Sequence, residues 1–365
     1  MRTKFWMTGV MTSVAAIAMA VAVVFAASPS RCDAETKHDA GVEIDAEKTD
    51  KGGVKIDAEK KDEGGVKIDA ELEAYKAVSG ISGNISSIGS DTLNNLMAHW
   101  QEGFQKQYPN VKIAVEGKGS ATAPPALIDG TADLGPMSRA MKGEEIKQFE
   151  DKFGYKPTAI SVSIDALAVF VHKDNPVEKL SLPQVDAMFS ANRKGGYAED
   201  ITKWGQTGLK GEWENQTITL YGRNSASGTY GFFKEHALFK GDFKAAVKEQ
   251  PGSSTVVQLI SEDRSAAGYS GIGYKTAGVR AVPISKDGSS EAFEATAENC
   301  YSGKYPMARY LMIYVNKAPG KALSPVVREF LKYVLSKDGQ EITIKDGFIP
   351  LRKKETTKFN DLLKS

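Results

Sequence analysis

Three short turns of the sequence combine glycine with serine and threonine directly before a helix-like stretch. They are Gly89–Thr92, Gly117–Thr122 and Gly222–Thr229. Small residues let a backbone come close to a ligand, and hydroxyl groups beside free N–H groups at a helix N-terminus favour an anion. Arg223, in the third turn, could add a charge-assisted pair of hydrogen bonds to a tetrahedral oxyanion. The chemistry that these residues predict is anion binding.

Each turn taken alone also has a simpler interpretation. Serine and threonine directly before a helix commonly cap its first N–H groups without binding any ligand. Three such turns in one chain, the last with an arginine, favour an anion site over three separate caps. The residues do not identify the anion.

The sequence patterns of hydrolytic enzymes are missing from the chain. There is no H-E-x-x-H or G-x-S-x-G motif, no G-x-x-x-x-G-K-[ST] loop and no Asp/His cluster at metal-ligand spacing. The four histidines lie far apart, at His38, His99, His172 and His236. A secreted phosphatase is therefore a less favoured alternative to a binding protein. We predict no catalytic residue, no metal site and no cofactor.

Short apolar runs typical of strands alternate with helix-like stretches from about Ser79 onward. The predicted strands cover residues 111–115, 166–172, 217–221 and 310–315. The predicted helices cover residues 93–108, 143–152, 230–239 and 326–335. This alternation indicates an α/β fold with largely parallel sheets covered on both faces. In such sheets ligands bind beyond the carboxyl ends of the strands, where helices begin.

The first 32 residues have the pattern of an export signal. Arg2 and Lys4 precede an apolar run over residues 5–27, which ends in small residues suited to cleavage. Because this run of 23 residues is also long enough to span a bilayer, an uncleaved membrane anchor is the alternative. Cys32 leaves lipidation as a third possibility. In each case we expect the body of the protein in the periplasm or at the cell surface, free or tethered to the membrane.

Residues 33–78 are predicted to form a disordered, charged linker. A seven-residue unit, G-V-x-I-D-A-E, starts at Gly41, Gly53 and Gly65, and each copy offers only a valine and an isoleucine for packing. Residues 33–75 carry 14 acidic and 7 basic side chains, which is too polar a composition for a packed core. The net charge of the whole chain is +1, so no nucleic-acid-binding surface is expected.

The order of the three turns resembles that in the phosphate-binding components of bacterial ABC phosphate importers. The specific part of the similarity is G-S-D-T at residues 89–92, M-S-R at 137–139 and R-N-S-A-S-G-T at 223–229. The similarity covers about residues 79–352 and includes G-S-A-T at 119–122, D-A-L-A-V-F-V at 165–171, G-I-G-Y at 271–274 and G-F-I-P-L at 347–351.

The resemblance implies a two-lobed clamshell, the periplasmic-binding-protein fold, with two crossing hinge strands. Lobe one would comprise residues 79–165 and 312–365, and lobe two residues 166–311. The protein would not be an enzyme. It would capture inorganic phosphate in the cleft between the lobes and deliver it to the membrane permease of an ABC importer, and we expect a monomer. A binding protein for another oxyanion is the alternative.

The resemblance also carries a set of phosphate contacts onto this chain. These are Ser90, Asp91, Thr92 and Leu93 in the first turn, Ser120 in the second, Ser138 and Arg139 after it, and Arg223, Ser227, Gly228 and Thr229 in the third. The second turn departs from the family pattern, because Ala121 follows Ser120 where a glycine is usual.

A second departure concerns the proton of the ligand. Some members of the family have acidic residues at the positions of Ser138 and Ser225, and those carboxylates accept the proton of HPO₄²⁻ and repel sulfate. Because this chain has serines there, another acceptor must take that role if sulfate is to be rejected. Asp91 is the nearest candidate and Asp133 a poorer one, while the alternative for Asp91 is a simple cap on the helix that follows it.

Overall fold

The computed structural model of the protein describes residues 66–364. The predicted export signal, Cys32 and most of the predicted linker lie outside the described residues. Within residues 66–364, no helix combines the length and the apolar character needed to cross a bilayer.

The described part of the chain alternates between strands and helices. The strands are β1 Gly83–Ile88, β2 Val111–Glu116, β3 Gly135–Met137, β4 Thr158–His172, β5 Leu180–Ser181, β6 Thr219–Arg223, β7 Lys248–Gln250, β8 Ala266–Gly271, β9 Val279–Ala281, β10 Ile284–Ser285 and β11 Ala308–Val315. The α-helices are α1 Asn94–Gln107, α2 Ala123–Asp129, α3 Gly143–Phe153, α4 Leu182–Phe189, α5 Gly228–His236, α6 Ser253–Glu262, α7 Ala297–Tyr301, α8 Pro325–Leu335, α9 Lys337–Lys345 and α10 Lys353–Thr356.

The main sheet is organised around β4, which has 15 residues and is buried from Val162 to its end. The strand order is β3–β11–β4–β8–β6–β7, and β9 also pairs with β4. Residues 158–166 of β4 pair with β11, and residues 167–171 pair with β8. Two halves of the structure therefore share this strand. We call the half on the β3–β11 side lobe one and the half on the β8–β6–β7 side lobe two.

The prediction of largely parallel sheets is wrong for the centre of the structure. β6 is parallel to β7 and β8, and β1 is parallel to β2. In contrast, β4 is antiparallel to β11, β8 and β9. The reason is topological, because β4 carries the chain from lobe one into lobe two and β11 brings it back alongside. The α/β clamshell implied by the resemblance is confirmed, whereas lobe boundaries near residues 165 and 311 stay a prediction.

Each lobe has an aromatic core that fixes the helices following the turns. In lobe one, Trp100 and Phe104 of α1 are fully buried, and the Phe104 ring lies 5.4 Å from that of Phe330 on α8. In lobe two, the ring of Phe233 on α5 stacks 3.9 Å from that of Tyr269 on β8. Burying such a side chain contributes roughly 1.5–3 kcal/mol. The cores therefore hold α1 and α5 so that their N-termini face the cleft region.

The last residues of the predicted linker pack against lobe one. Leu72 is 5% exposed, and the hydroxyl of the half-buried Tyr75 lies 2.7 Å from that of Tyr108, the residue after α1. The prediction of disorder over residues 33–78 is therefore wrong for residues 69–78. The physical reason is that Leu72 and Tyr75 supply large apolar side chains, which the preceding repeats lack.

Candidate anion-binding site

The first two turns each enter a helix through a short 3₁₀ segment. Asp91–Leu93 precedes α1 and Ser120–Thr122 precedes α2. Gly119 has a φ of 107°, in the left-handed region that favours glycine. Leu93 is fully buried, and its N–H donates to the carbonyl of Ser90 at 3.2 Å. Neither turn places a side chain on the N–H groups of its own helix, so capping does not account for these two turns.

The third turn does contain a cap. Ser227 precedes α5, and its Oγ accepts the N–H groups of Thr229 at 3.1 Å and Tyr230 at 3.3 Å. Because both bonds use the oxygen as acceptor, the hydroxyl hydrogen of Ser227 remains free to donate elsewhere. Capping and anion binding are therefore compatible at this residue.

Six buried hydroxyl groups come from the three turns and from the loop after β3. Each belongs to a residue that is at most 3% exposed: Ser90, Thr92, Ser120, Ser138, Ser227 and Thr229. We call these six side chains the hydroxyl cluster. Ser138 Oγ lies 3.0 Å from Ser90 Oγ and 3.3 Å from Ser120 Oγ. Thr92 Oγ1 of lobe one lies 2.8 Å from Thr229 Oγ1 of lobe two. Since hydroxyl hydrogens rotate, these groups can turn to donate to a shared anion.

Gly228 brings the third turn of lobe two against lobe one. A Cβ atom placed on Gly228 would lie 2.5 Å from Ser138 Oγ and closer still to Ser120 Oγ. Only glycine therefore allows the two lobes to approach this closely. The backbone also joins them, because the Ala121 N–H donates to the carbonyl of Ala226 at 3.1 Å. The cleft is closed around the hydroxyl cluster.

Arg223 is the buried cation of the third turn, with 1% of its surface exposed. Its Nη1 donates to Ser253 Oγ at 2.5 Å, and its Nη2 donates to the carbonyl of Pro251 at 2.8 Å. Its Nε–H has no protein partner among residues 66–364. Burial lowers the pKa of Arg223 and the carboxylate of Asp91 partly offsets this, but a guanidinium remains charged at neutral pH. Arg223 thus has a buried donor to offer to an anion.

Asp91 reaches across the cleft from lobe one. Its Oδ2 lies 3.1 Å from Arg223 Nη2 and accepts the N–H of Ser253, the first residue of α6, at 2.9 Å. From lobe two, the Tyr274 hydroxyl donates to the Asp91 carbonyl at 2.9 Å. The side chain of Asp91 therefore binds the start of a helix in the other lobe, not the helix that follows it in the sequence.

Arg139, Asp133 and Ser225, which were considered from the sequence as part of the site, do not contribute to the hydroxyl cluster. The two Nη atoms of Arg139 donate to the two carboxylate oxygens of Glu145, at 2.7 and 2.8 Å. Asp133 is exposed, and its carboxylate accepts the N–H of Ser86 at 2.8 Å. Ser225, where some family members have an acidic residue, is exposed.

A buried ion pair beside the cluster was not predicted from the sequence. Arg309 on β11 faces Asp165 on β4, and its Nε and Nη2 both donate to Asp165 Oδ2, at 3.0 and 2.7 Å. Arg309 also donates to the Ser138 carbonyl at 2.8 Å and to Thr229 Oγ1 at 2.9 Å. The signal that could have found the pair is a charged residue directly before each of two predicted strands, Asp165 before residues 166–172 and Arg309 before residues 310–315.

Comparison with known proteins places the chain in a family. A family model of the PBP superfamily domain matches residues 74–338. The phosphate-binding protein PstS of Pseudomonas aeruginosa is 55% identical over 287 residues, which make up 79% of this chain and 89% of that protein. The chain belongs to the PBP superfamily and to the PstS family. As a member of the PstS family it is a binding protein and not an enzyme, as expected from its sequence.

Solved structures agree with this assignment. A protein from Clostridium perfringens, assigned as the substrate-binding protein of a phosphate ABC transporter and solved with bound phosphate, matches with a TM-score of 0.63 at 26% identity. The match covers 74% of this PstS-family chain and 100% of that one. An ABC-type phosphate transport receptor from Vibrio cholerae matches with a TM-score of 0.57 at 23% identity, over 73% of this chain and 100% of its own. The latter shows the shared fold.

The two serines that depart from the expected family pattern, Ser138 and Ser225, lie at different kinds of position. Ser138 is fully buried and belongs to the hydroxyl cluster, whereas Ser225 lies at the surface. A serine at position 138 keeps a hydrogen-bonding group in the cluster without adding a carboxylate. Only the substitution at position 138 therefore bears directly on the chemistry of the cleft.

Proposed function

We propose that this PstS-family protein captures one inorganic phosphate ion between its lobes and delivers it to the membrane permease of an ABC importer. The protein acts outside the cytoplasm, as a monomer, and does not turn over phosphate esters. The observation that carries the proposal is the hydroxyl cluster, six buried hydroxyl groups supplied by both lobes, to which the third turn adds the buried Nε–H of Arg223, unpartnered among residues 66–364. Such a set of donors suits a small, tetrahedral, highly charged anion.

The helix positions support the same ligand. The first two turns lead into α1 and α2 in lobe one, and the third leads into α5 in lobe two. The N-terminus of a helix carries a partial positive charge, so anions are stabilised there. Because donors come from both lobes, an anion bound among them would stabilise the closed arrangement over an open one.

We propose a specific set of contacts for the phosphate oxygens. The donors are the hydroxyl cluster, Arg223 Nε and the backbone N–H of Gly228; Leu93, expected among the contacts, is left out because its N–H donates to the Ser90 carbonyl. Arg139 is not one of these donors: it is bound to Glu145 and stabilises the loop that contains Ser138. Asp91 Oδ2 is occupied by Arg223 and Ser253, which leaves its Oδ1 to accept the proton of HPO₄²⁻. A carboxylate beside an anion without a proton is unfavourable, so sulfate would be rejected.

The relatives support the choice of phosphate over another oxyanion. The Pseudomonas aeruginosa protein that shares 55% identity with this chain is named a phosphate-binding protein, and the Clostridium perfringens structure contains phosphate. The Clostridium perfringens protein is likewise assigned to a phosphate ABC transporter.

The test is a calorimetric titration of the full chain, freed of bound anion, with phosphate, sulfate and molybdate in turn. We expect one phosphate per chain at micromolar affinity or tighter, and weak or no sulfate binding. Arg223→Ala should weaken phosphate binding by about 10- to 100-fold, because a hydrogen bond to a charged partner contributes about 1.5–3 kcal/mol. The matched control is Arg139→Ala, which should leave the affinity close to that of the parent.

Two results would overturn the proposal in different ways. Tighter binding of sulfate or molybdate than of phosphate would make the protein a receptor for another oxyanion. Sustained hydrolysis of p-nitrophenyl phosphate that is lost in Arg223→Ala would instead establish the phosphatase alternative.

A further inference from the structure

Arg309 is a buried arginine outside the proposed set of phosphate contacts. It is 6% exposed, and its guanidinium group donates four hydrogen bonds, two to Asp165 and one each to the Ser138 carbonyl and Thr229 Oγ1. Its guanidinium carbon also lies 5.2 Å from the centre of the Phe232 ring, one turn after Thr229 on α5. These contacts fix the group in one orientation.

The contacts of Arg309 connect the moving parts of the clamshell. Arg309 and Asp165 are direct register partners on β11 and β4, the two strands that run between the lobes. The Ser138 carbonyl belongs to lobe one, and Thr229 belongs to α5 of lobe two. One guanidinium group therefore joins both crossing strands to a binding loop of each lobe.

The bond to Thr229 constrains the direction of a hydroxyl hydrogen. Arginine only donates hydrogen bonds, so Thr229 Oγ1 must act as the acceptor from Arg309 Nη2 at 2.9 Å. The hydrogen shared between Thr229 and Thr92, whose oxygens lie 2.8 Å apart, can belong to either residue. In both cases the pair uses one hydroxyl hydrogen internally. If Thr229 donates, the free hydrogen belongs to Thr92, which is not bonded to Arg309. If Thr92 donates, the free hydrogen belongs to Thr229 and must point away from both Arg309 and Thr92, so an anion there receives a donor whose direction is already set.

The charge of Arg309 is paired with a buried carboxylate. The Asp165 carboxylate is fully buried, and its Oδ1 accepts the N–H of Ile272 at 3.0 Å while its Oδ2 binds Arg309. Burial lowers the pKa of Arg309, and the Asp165 carboxylate opposes this. The opposite charges of the two side chains cancel formally. A donor to the hydroxyl oxygen also makes that hydroxyl a stronger donor in its turn, because hydrogen bonds in a chain polarise one another.

We infer that Arg309 is a positioning residue that directs the hydroxyl hydrogen of Thr229 toward the bound anion. This inference rests on the proposed function. Its rival is a purely structural role, in which the Arg309–Asp165 pair only stabilises the crossing strands. The two roles differ in one respect: only the positioning role makes the effect of Arg309 on affinity depend on the Thr229 hydroxyl.

A double-mutant cycle separates the roles. Arg309→Lys keeps a cation for Asp165 but loses the fixed fork that reaches Thr229 and Ser138 at the same time. Thr229→Val removes the hydroxyl and keeps the side-chain shape. We expect each single variant to bind phosphate about tenfold more weakly, which corresponds to about 1.4 kcal/mol, and the double variant to bind no more than about tenfold more weakly. Thr229→Ser, which retains the hydroxyl, should restore the sensitivity to Arg309→Lys.

Several outcomes would overturn the inference. Losses that multiply to about a hundredfold in the double variant would show that Arg309 and Thr229 act independently. Binding by Arg309→Lys within twofold of the parent would leave Arg309 without a role in affinity. If the parent itself binds no phosphate, the proposed function fails before the cycle begins, so the two failures are distinguishable.

A second variant covers the case in which Arg309→Lys does not fold. Arg309→Met combined with Asp165→Asn removes both charges together, and the asparagine oxygen can still accept the Ile272 N–H. Removing both partners of a buried pair is often close to neutral for stability. We expect this variant to unfold in urea near the parent midpoint and to lose about tenfold in phosphate affinity. Parent-like affinity would again contradict the positioning role.

Discussion

Asp91 and Arg223 form an ion pair across the cleft, with Asp91 Oδ2 of lobe one 3.1 Å from Arg223 Nη2 of lobe two. The same oxygen accepts the N–H of Ser253, so the carboxylate is bound to lobe two at two points. An interaction of this kind exists only while the lobes are together. It therefore contributes to closure whether or not Asp91 also accepts a proton from the ligand.

Asp91→Asn should weaken phosphate binding by several-fold and let sulfate compete. The amide keeps the size of the side chain but loses the charged bonds to Arg223, and it no longer repels a fully ionised anion. Competition calorimetry at fixed pH and ionic strength measures both effects. The matched control is Asp133→Asn, because Asp133 binds Ser86 outside the cleft. If Asp91→Asn binds phosphate and rejects sulfate as the parent does, Asp91 has neither role.

Gly228→Ala should abolish phosphate binding and leave the fold intact. The added methyl group would overlap Ser120 and Ser138 of the opposite lobe, a clash that opening of the cleft relieves. Within the helix itself alanine is more favourable than glycine by up to about 1 kcal/mol, so the free energy of unfolding should not fall. Calorimetry and urea unfolding give the two quantities.

The control for Gly228→Ala lies one turn further along α5. A Cβ atom at Gly231 would lie 3.2 Å from Arg139 Cδ, a contact that a movement of a few tenths of an ångström relieves. Gly231→Ala should therefore retain phosphate binding. Loss of binding in both variants would mean that α5 as a whole tolerates no change, and parent-like binding by Gly228→Ala would contradict the closed geometry.

Tyr75→Ala should lower the free energy of unfolding by about 2 kcal/mol, because it removes a half-buried aromatic side chain. The Tyr75 ring lies 5.5 Å from that of Tyr333, and its hydroxyl bonds with Tyr108 and with Glu329 at 3.0 Å. Phosphate affinity should not change. Val78→Ala, at a residue that is 45% exposed, is the control and should cost less than about 0.5 kcal/mol. Equal, negligible losses in urea unfolding would show that the segment does not contribute to stability.

Asp346 should make the protein less stable as the pH rises from about 4 to about 6. Burial raises the pKa of Asp346 to about 6, and the neighbouring His99 opposes this. Between the ordinary pKa of 3.8 and the raised value, the folded protein holds a proton that the unfolded chain releases, so rising pH favours unfolding. The free energy of unfolding of the parent minus that of Asp346→Asn should therefore fall between about pH 4 and pH 6.

His99→Gln provides the second arm of the pH experiment. His99 Nδ1 lies 3.1 Å from Asp346 Oδ1, so removing the imidazole removes the group that favours the ionised carboxyl. The fall in stability between pH 4 and 6 should become steeper in this variant. If the free energy of unfolding of the parent relative to Asp346→Asn instead rises with pH, the pairing with His99 has a larger effect on the pKa of Asp346 than burial has.

The parts of the fold that depend on local pattern were predictable from the sequence. α1 was expected over residues 93–108 and spans Asn94–Gln107, and α8 was expected over 326–335 and spans Pro325–Leu335. Both have apolar residues at helical spacing that face one core. The end of α5 was less well predicted, because the helix stops at His236 although the apolar pattern continues to Phe239. Phe239 has a φ of 49°, which is incompatible with a right-handed helix.

The features that were missed depend on contacts between distant parts of the chain. Arg309 and Asp165 are 144 residues apart in sequence, and nothing near either residue indicates its partner. The same holds for Asp91, whose partners Arg223 and Ser253 lie in the other lobe. Local turn chemistry could indicate an anion site, but the choice between a cap, a proton acceptor and a bond between lobes required the fold.

Each arginine beside the hydroxyl cluster has its own aspartate: Arg223 pairs with Asp91, and Arg309 pairs with Asp165. These four side chains together therefore bring no net formal charge to the anion. An anion bound in the proposed site would have its charge met mainly by hydroxyl and backbone dipoles, whose field declines with distance faster than that of a net charge. Such a site exerts little long-range attraction, so the association rate of phosphate should depend only weakly on salt.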